Sequence, residues 1–210
     1  MTRSLRQLLL LSFILAGAGV SRAADEKTTT TPYYPLAVGN TWYYRVGENH
    51  FSLKVAKIEE VGDKKKLKCA RIELIVNDKP ISFEHIAVTP EAVVRCTFEN
   101  KTAVPPIPFF KLPYKKGATW NVESRVDGQL LKGTFTANEE DTTIPMAANL
   151  QNPTGKVRAI SVTGKDLMVN GVKMNLTYYF MENIGMVKQV IEYAGQKAVI
   201  ELEKYELAKK

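Results

Sequence analysis

Apolar residues recur at every second position along almost the whole chain, and that period fixes the class of fold open to it. Trp42, Tyr44 and Val46 alternate with Thr41, Tyr43 and Arg45, and Phe51, Leu53 and Val55 alternate with Ser52, Lys54 and Ala56. The cleanest run sets Val172, Met174, Leu176, Tyr178 and Phe180 against Lys173, Asn175, Thr177 and Tyr179. Ala198, Ile200 and Leu202 repeat the pattern near the end of the chain. Successive residues of a strand face opposite sides of a sheet, so this is the signature of antiparallel strands with one face on a core and one in water. No segment keeps a helical period. Asp141 to Leu150 admits one turn, limited by Pro145. Turn residues fall between the alternating runs. Asn170-Gly171 is the strongest hairpin signal, and Asn77-Asp78-Lys79-Pro80, Thr89-Pro90, Asp127-Gly128 and Ala194-Gly195 punctuate the rest.

A short phrase is written twice. Pro35-Leu36-Ala37-Val38-Gly39-Asn40-Thr41-Trp42 is echoed by Leu112-Pro113-Tyr114-Lys115-Lys116-Gly117-Ala118-Thr119-Trp120, and the two copies hold the chain's 2 tryptophans. Each copy follows an aromatic pair, Tyr33-Tyr34 or Phe109-Phe110. Gly39 and Gly117 permit a tight turn, and Trp42 and Trp120 open strands with a buried indole at equivalent places in two halves. The predicted fold is therefore all-β: a curved antiparallel sheet, or an open or nearly closed β-barrel, of two meander halves. A two-sheet sandwich is the competing architecture. The halves, residues 32–104 and 109–207, form a single domain joined by the Pro-rich stretch 104–113. Proline cannot donate to a sheet ladder, so this stretch reads as an ordered arm packed across the sheet rather than a central strand.

Ahead of the domain stands a signal peptide, residues 1–23. Arg3 and Arg6 lead an apolar run from Leu8 to Val20, and Ser21-Arg22-Ala23 supplies small residues at the cleavage spacing. The apolar run falls short of the ~20 residues that a membrane span needs, so no stable transmembrane anchor is expected after cleavage. No cysteine stands near the cleavage position, so bacterial lipid attachment is not expected. Residues 24–31 read as disordered. The expected destination is periplasmic or extracellular. Cleavage removes three of the 29 basic residues and none of the 22 acidic ones, leaving a net charge of +4 in place of +7. That is an ordinary water-facing surface, and nucleic acid is not an expected partner. The run Lys64-Lys65-Lys66 after Gly62-Asp63 reads as a solvated turn.

Cys69 and Cys96 are the only cysteines. Export permits a disulfide. However, strands over 67–76, 81–88 and 91–98 place a whole strand between the two cysteines. Two strand spacings, about 9.6 Å, exceed the ~7 Å Cα reach of a disulfide. Two buried free thiols are expected.

Catalytic chemistry is sparse. His50 and His85 are isolated, no Cys/His set has metal-ligand spacing, and neither a nucleophile elbow nor a phosphate loop is present. No cofactor or metal is expected. Glu139-Glu140-Asp141 is the one acidic cluster, read as a loop. It is the basis for a third-ranked hydrolase reading through an acidic pair. Asn100 and Asn175 head glycosylation triplets that matter only in a eukaryotic route. The aromatic content is the best remaining lead. Tyr44, Phe109, Phe110, Tyr114, Tyr178 and Phe180 are the candidate ligand-binding residues, on a concave sheet face covered by the Pro-rich arm.

The stretch Tyr34 to Tyr44, the second Leu112-Pro113…Gly117-Ala118-Thr119-Trp120, and the ending Tyr178-Tyr179-Phe180 through Gly185-Met186-Val187-Lys188 together resemble a broad set of exported bacterial proteins. The resemblance covers most of the mature chain and implies a curved antiparallel sheet, similar to the concave half-barrel of lipoprotein carriers. It implies no reaction. The chain departs from those carriers in having no helical lid. The expected function is a non-enzymatic envelope protein binding an apolar or amphipathic, lipid-like ligand. The alternative is a structural or protein-interaction module that meets an envelope partner through a sheet edge or exposed face.

Overall fold

The computed structural model describes residues 30–62, 66–145 and 155–208, so the signal segment, Lys64, Lys65 and most of 24–31 lie outside the described residues. The described chain forms twelve strands: β1 (Thr41–Val46), β2 (Asn49–Val61), β3 (Leu67–Val76), β4 (Lys79–Val88), β5 (Ala92–Phe98), β6 (Lys101–Lys111), β7 (Thr119–Val126), β8 (Gln129–Thr143), β9 (Lys156–Val169), β10 (Val172–Met181), β11 (Gly185–Tyr193) and β12 (Gln196–Glu206). Each pairs antiparallel with its neighbours in sequence, and β1 closes on β12 with Trp42 opposite Tyr205 and Val46 opposite Ile200. The result is a closed barrel. The open-sheet and sandwich alternatives fall, because closure leaves neither edge strand unpaired.

The alternation read from the sequence sets the two faces. Trp42, Tyr44, Val46, Trp120, Val122, Leu176, Tyr178, Phe180 and Leu202 are buried inside. The residues between them carry cross-strand ion pairs on the outside, among them Arg45–Glu201, Lys132–Glu123 and Lys197–Glu192. Gly133 and Gly164 let β8 and β9 approach the core closely. A Cβ at Gly133 would stand 2.5 Å from the Leu167 side chain, and one at Gly164 2.7 Å from Phe135.

The repeated phrase occupies equivalent places. Gly39 and Gly117 both take positive φ, 95° and 76°. Gly39 N donates to Val55 O, and Val55 N to Asn40 O. In the second copy Gly117 N donates to Ala137 O, and Ala137 N to Ala118 O. Each tryptophan then opens the first strand of six, opposite Leu53 in β2 or Phe135 in β8. Both indoles are buried and both donate to a backbone carbonyl: Trp42 Nε1 to Ile184 O at 2.6 Å, Trp120 Nε1 to Pro108 O at 2.8 Å.

The Pro-rich stretch is not an arm across the sheet. It lies in β6, a full member of the wall between β5 and β7. The absence of proline N–H groups instead shows in the β6–β7 seam, whose ladder holds only Ala103 opposite Val126 and Val104 opposite Arg125. Side chains of β7 take up the carbonyls that the ladder leaves. Ser124 Oγ donates to Pro105 O at 2.6 Å, and Trp120 does the same for Pro108.

Two further readings are corrected. Glu139, Glu140 and Asp141 sit in strand β8 rather than a loop, paired opposite Ile160, Ala159 and Arg158. Glu139 contacts Arg158 at 2.9 Å and Asp141 contacts Lys156 at 3.0 Å, while Glu140, one residue on, faces the other side of the sheet. Cys69 and Cys96 are free and buried, with β4 between their strands as expected. Their sulfurs nevertheless meet at 3.3 Å. A register shift in the β4–β5 ladder at His85/Ile86 leaves Cys96 as the extra residue of a bulge, on the same small cluster as Cys69. The residue packed with both thiols, Ala87, is too small to hold them apart. Thr31, just before the domain as read, is buried and bridges to Tyr34.

Because Trp120 both fills the core and closes the proline seam, Trp120→Ala is expected to cost about 3–5 kcal/mol. Ser124→Ala, which removes the hydroxyl that serves the Pro105 carbonyl, should cost about 0.5–1.5 kcal/mol. Urea denaturation checks both, and a loss below about 1 kcal/mol for Trp120→Ala would contradict this role.

A barrel cavity plugged at one end

Strand direction sorts the connections. The tight turns β1–β2, β3–β4, β5–β6, β7–β8, β9–β10 and β11–β12 all lie at one end of the barrel, and the remaining connections and both chain ends lie at the other. Residues with positive φ mark the tight turns, including Asn77, Asp78, Glu99, Asn100, Asp127 and Asn170.

The end opposite the tight turns is plugged. The segment before β1 folds into the barrel mouth, held by Asn183 N donating to Pro32 O at 2.7 Å, by Asn40 Nδ2 donating to Pro35 O, and by Ala208 N donating to Asn40 Oδ1. Leu36 is fully buried. Tyr34 packs edge-on against Phe109 and Phe180 with ring centroids 5.7 and 6.0 Å apart, and lies over Trp42 at 6.2 Å. Tyr33 stacks on Phe110 at 5.3 Å, and Tyr114 covers both. Such contacts add about 0.5–1.5 kcal/mol each beyond their buried area.

Toward the tight turns, the interior is a cavity of about 530 Å³. Its walls are largely apolar, from Leu53, Leu74, Leu131, Met174, Ile191 and Ile200. Glu99, Lys101, Asp127, Gln129 and Tyr193, beside the turns, make its polar rim. Lys101 pairs with Asp127 at 2.8 Å. Deeper in, Arg95 Nε donates to Glu84 Oε2 at 2.6 Å. Arg95 also lies near the Phe98 and Phe109 rings, 5.4 and 5.5 Å from their centroids. Burial opposes the guanidinium charge, but Glu84 and the Tyr178 and Tyr34 phenols more than offset it and hold Arg95 charged above its ordinary range. Burial pushes the Tyr34 phenol well up.

Of the six aromatic residues singled out in the sequence, Phe109 and Tyr178 line this cavity. Phe110, Phe180 and Tyr114 belong to the plug. Tyr44 is core, stacked on Phe51 with its hydroxyl donating to Met186 O at 2.7 Å. The pocket does not lie under residues 104–114 as a unit; only Ile107 and Phe109 of that stretch reach it. Sequence reasoning missed Arg95 and Glu84. Their signal was present: each is a charged residue at an inward position of a strand, next to inward Ile86 and Ile107.

The histidines sit apart from the cavity. His50 contacts Glu203 at 2.9 Å. His85, on the opposite face of β4 from Glu84, contacts Thr97 and Glu59, and burial pushes its imidazole below the usual range. Among the described residues no group of three His, Cys, Asp or Glu side chains is placed to hold a metal ion.

No family model matches the chain, and no curated protein matches it. Two solved structures are similar in fold. One is described as an exported protein with a YmcC-like fold, from Bacteroides fragilis, at a TM-score of 0.47 and 11% identity, covering 83% of this chain and 99% of that one. The other is described as a lipoprotein, from Parabacteroides distasonis, at a TM-score of 0.43 and 10% identity, covering 86% of this chain and 100% of that one.

Glu99 at the rim titrates unusually. Burial raises its carboxyl to about 7, against the pull of Lys101 and Ser82, and its Oε1 is buried without a partner. The folded protein therefore holds this proton more tightly than the unfolded chain. The associated stability is full below about pH 4.5 and is lost as pH rises through about 7. Thermal melts across that window should show the wild type losing stability relative to Glu99→Gln as pH rises. Parallel curves would contradict the assignment.

Proposed function

We propose that this is a non-enzymatic exported protein of the cell envelope that holds an apolar or amphipathic small molecule inside its barrel. The observation that carries the reading is the cavity itself: about 530 Å³, apolar-walled and closed below by the aromatic plug. That volume falls in the ~300–1,000 Å³ range of ligand sites. At ~30 Å³ per water molecule it equals on the order of 18 waters, against walls that offer them few partners. A lipid-like molecule removes that apolar surface from water, at roughly 25 cal/mol per Å².

The charged exterior and apolar interior are the reverse of a membrane-spanning barrel, whose apolar band faces outward. This supports a barrel that stands in water and carries its ligand within. The signal segment at residues 1–23 supports export. The sheet-edge form of the interaction-module alternative calls for a long free edge, whereas every described strand has a partner on both sides.

Protein purified from its own envelope should show, in native mass spectrometry, a bound species of lipid-like mass. Leu131→Trp with Ile191→Trp, which place indoles in the cavity, should abolish that adduct while the protein stays folded. A wild-type protein without any adduct, or an adduct unaffected by the filled cavity, would overturn the reading.

A further inference from the structure

The cavity is not uniformly apolar: Ser82, Gln189 and the Tyr34 and Tyr178 residues line it beside Arg95 and Glu84, and that charged pair constrains what enters it. Arg95 lies four residues below Glu99 at the β5–β6 turn, so it sits about 13 Å down the strand at ~3.3 Å per residue. The wall above it is hydrocarbon, including Leu74, Phe98 and Leu131. The floor beneath is the plug. Arg95 and Glu84 both line the cavity and keep 19% and 16% of their side-chain surface accessible. A guanidinium carries five N–H donors. One goes from Nε to Glu84, and the Tyr178 phenol is a second neighbour. Glu84 likewise gives Oε2 to Arg95 and retains Oε1 as an acceptor. The cavity thus offers donors and an acceptor side by side, about 13 Å along the strand from its rim.

The pair also sets a charge rule. Arg95 and Glu84 together are neutral, so an ionised head group drawn down to them would bring an uncompensated charge into an apolar chamber, at a cost of several kcal/mol. A hydroxyl or amide brings no charge. It accepts from Arg95 and donates to Glu84, meeting both unused capacities at once.

Resting on the ligand-binding reading above, we infer that the barrel selects neutral amphiphiles that carry a hydroxyl or amide group at the inward end, with the Arg95–Glu84 pair as the specificity determinant and the apolar shaft holding the hydrocarbon chain. Free carboxylates and alkylammonium ions are discriminated against by the same pair.

The test uses the signal-cleaved protein and the fluorescent apolar probe N-phenyl-1-naphthylamine, displaced in parallel by 1-decanol, decanoate and decylammonium at about pH 8, where the acid is ionised. Decanol is expected to displace the probe at a concentration about ten-fold or more below either charged analogue, equivalent to about 1.4 kcal/mol. In the wild type 1-decanol should also displace the probe better than decane, and replacing both partners, Arg95→Met with Glu84→Met, should keep probe binding and erase that advantage. The wild-type ranking stands as a test by itself if that double variant does not fold. Probe binding with decanoate or decylammonium equal to or better than decanol would overturn the selectivity while leaving the cavity reading intact. Failure of the probe to bind at all would overturn both.

Discussion

A barrel of twelve strands encloses more space than its own inward side chains can fill, and the aromatic plug at one end is the contact on which the rest of the structure depends. About eight strands suffice to make an interior that side chains just close. Here the surplus is divided. At one end the segment before β1 turns inward and wedges Tyr34 and Leu36 between Trp42, Phe109 and Phe180. At the other end nothing comparable intrudes, and the surplus becomes a chamber. Without the plug the same wall would be a tube open at both ends. With it the wall is a cup, with a floor on which polar groups can be placed.

Those polar groups follow from the plug. Tyr34 rises from it and Tyr178 stands beside it, so their phenols lie close to Arg95 and Glu84 at the floor of the chamber. Burial opposes the charge of Arg95, and Glu84 with the two phenols more than offsets it. An ion pair in an apolar chamber is weak evidence for stability. It is better evidence for a requirement on what the chamber holds.

Much of the wall was legible in the sequence and little of its content. The period-two runs located β1, β2, β10 and β12, and Asn170-Gly171 marked the β9–β10 turn, because alternation and turn chemistry are local properties. The repeated Gly-x-Thr-Trp correctly announced two strand starts with related environments. Closure was not readable, since it depends on β1 meeting β12 across the full chain. The proline stretch misled for a physical reason. Missing N–H groups argue against a strand only if backbone must supply every bond, and here Ser124 and Trp120 reach the carbonyls from β7. The cysteine argument used sheet spacing alone and missed a bulge that brings two sulfurs together over Ala87. For the site, aromatic content mixed plug, core and chamber, and of the six residues only Phe109 and Tyr178 line the cavity. The deep pair of charges, Arg95 and Glu84, went unremarked because each is a single charged residue within an otherwise apolar run of inward positions.

The central claim is that the plugged barrel is a container whose chamber is occupied in the cell from the rim down to Arg95. A crystal structure of the protein taken from its own envelope, without refolding or detergent exchange, tests this most directly. The account predicts continuous elongated density running between Leu74, Leu131 and Ile191 and ending within hydrogen-bond distance of Arg95 and Glu84. A chamber holding only discrete water peaks, or one collapsed by inward movement of its walls, would contradict it.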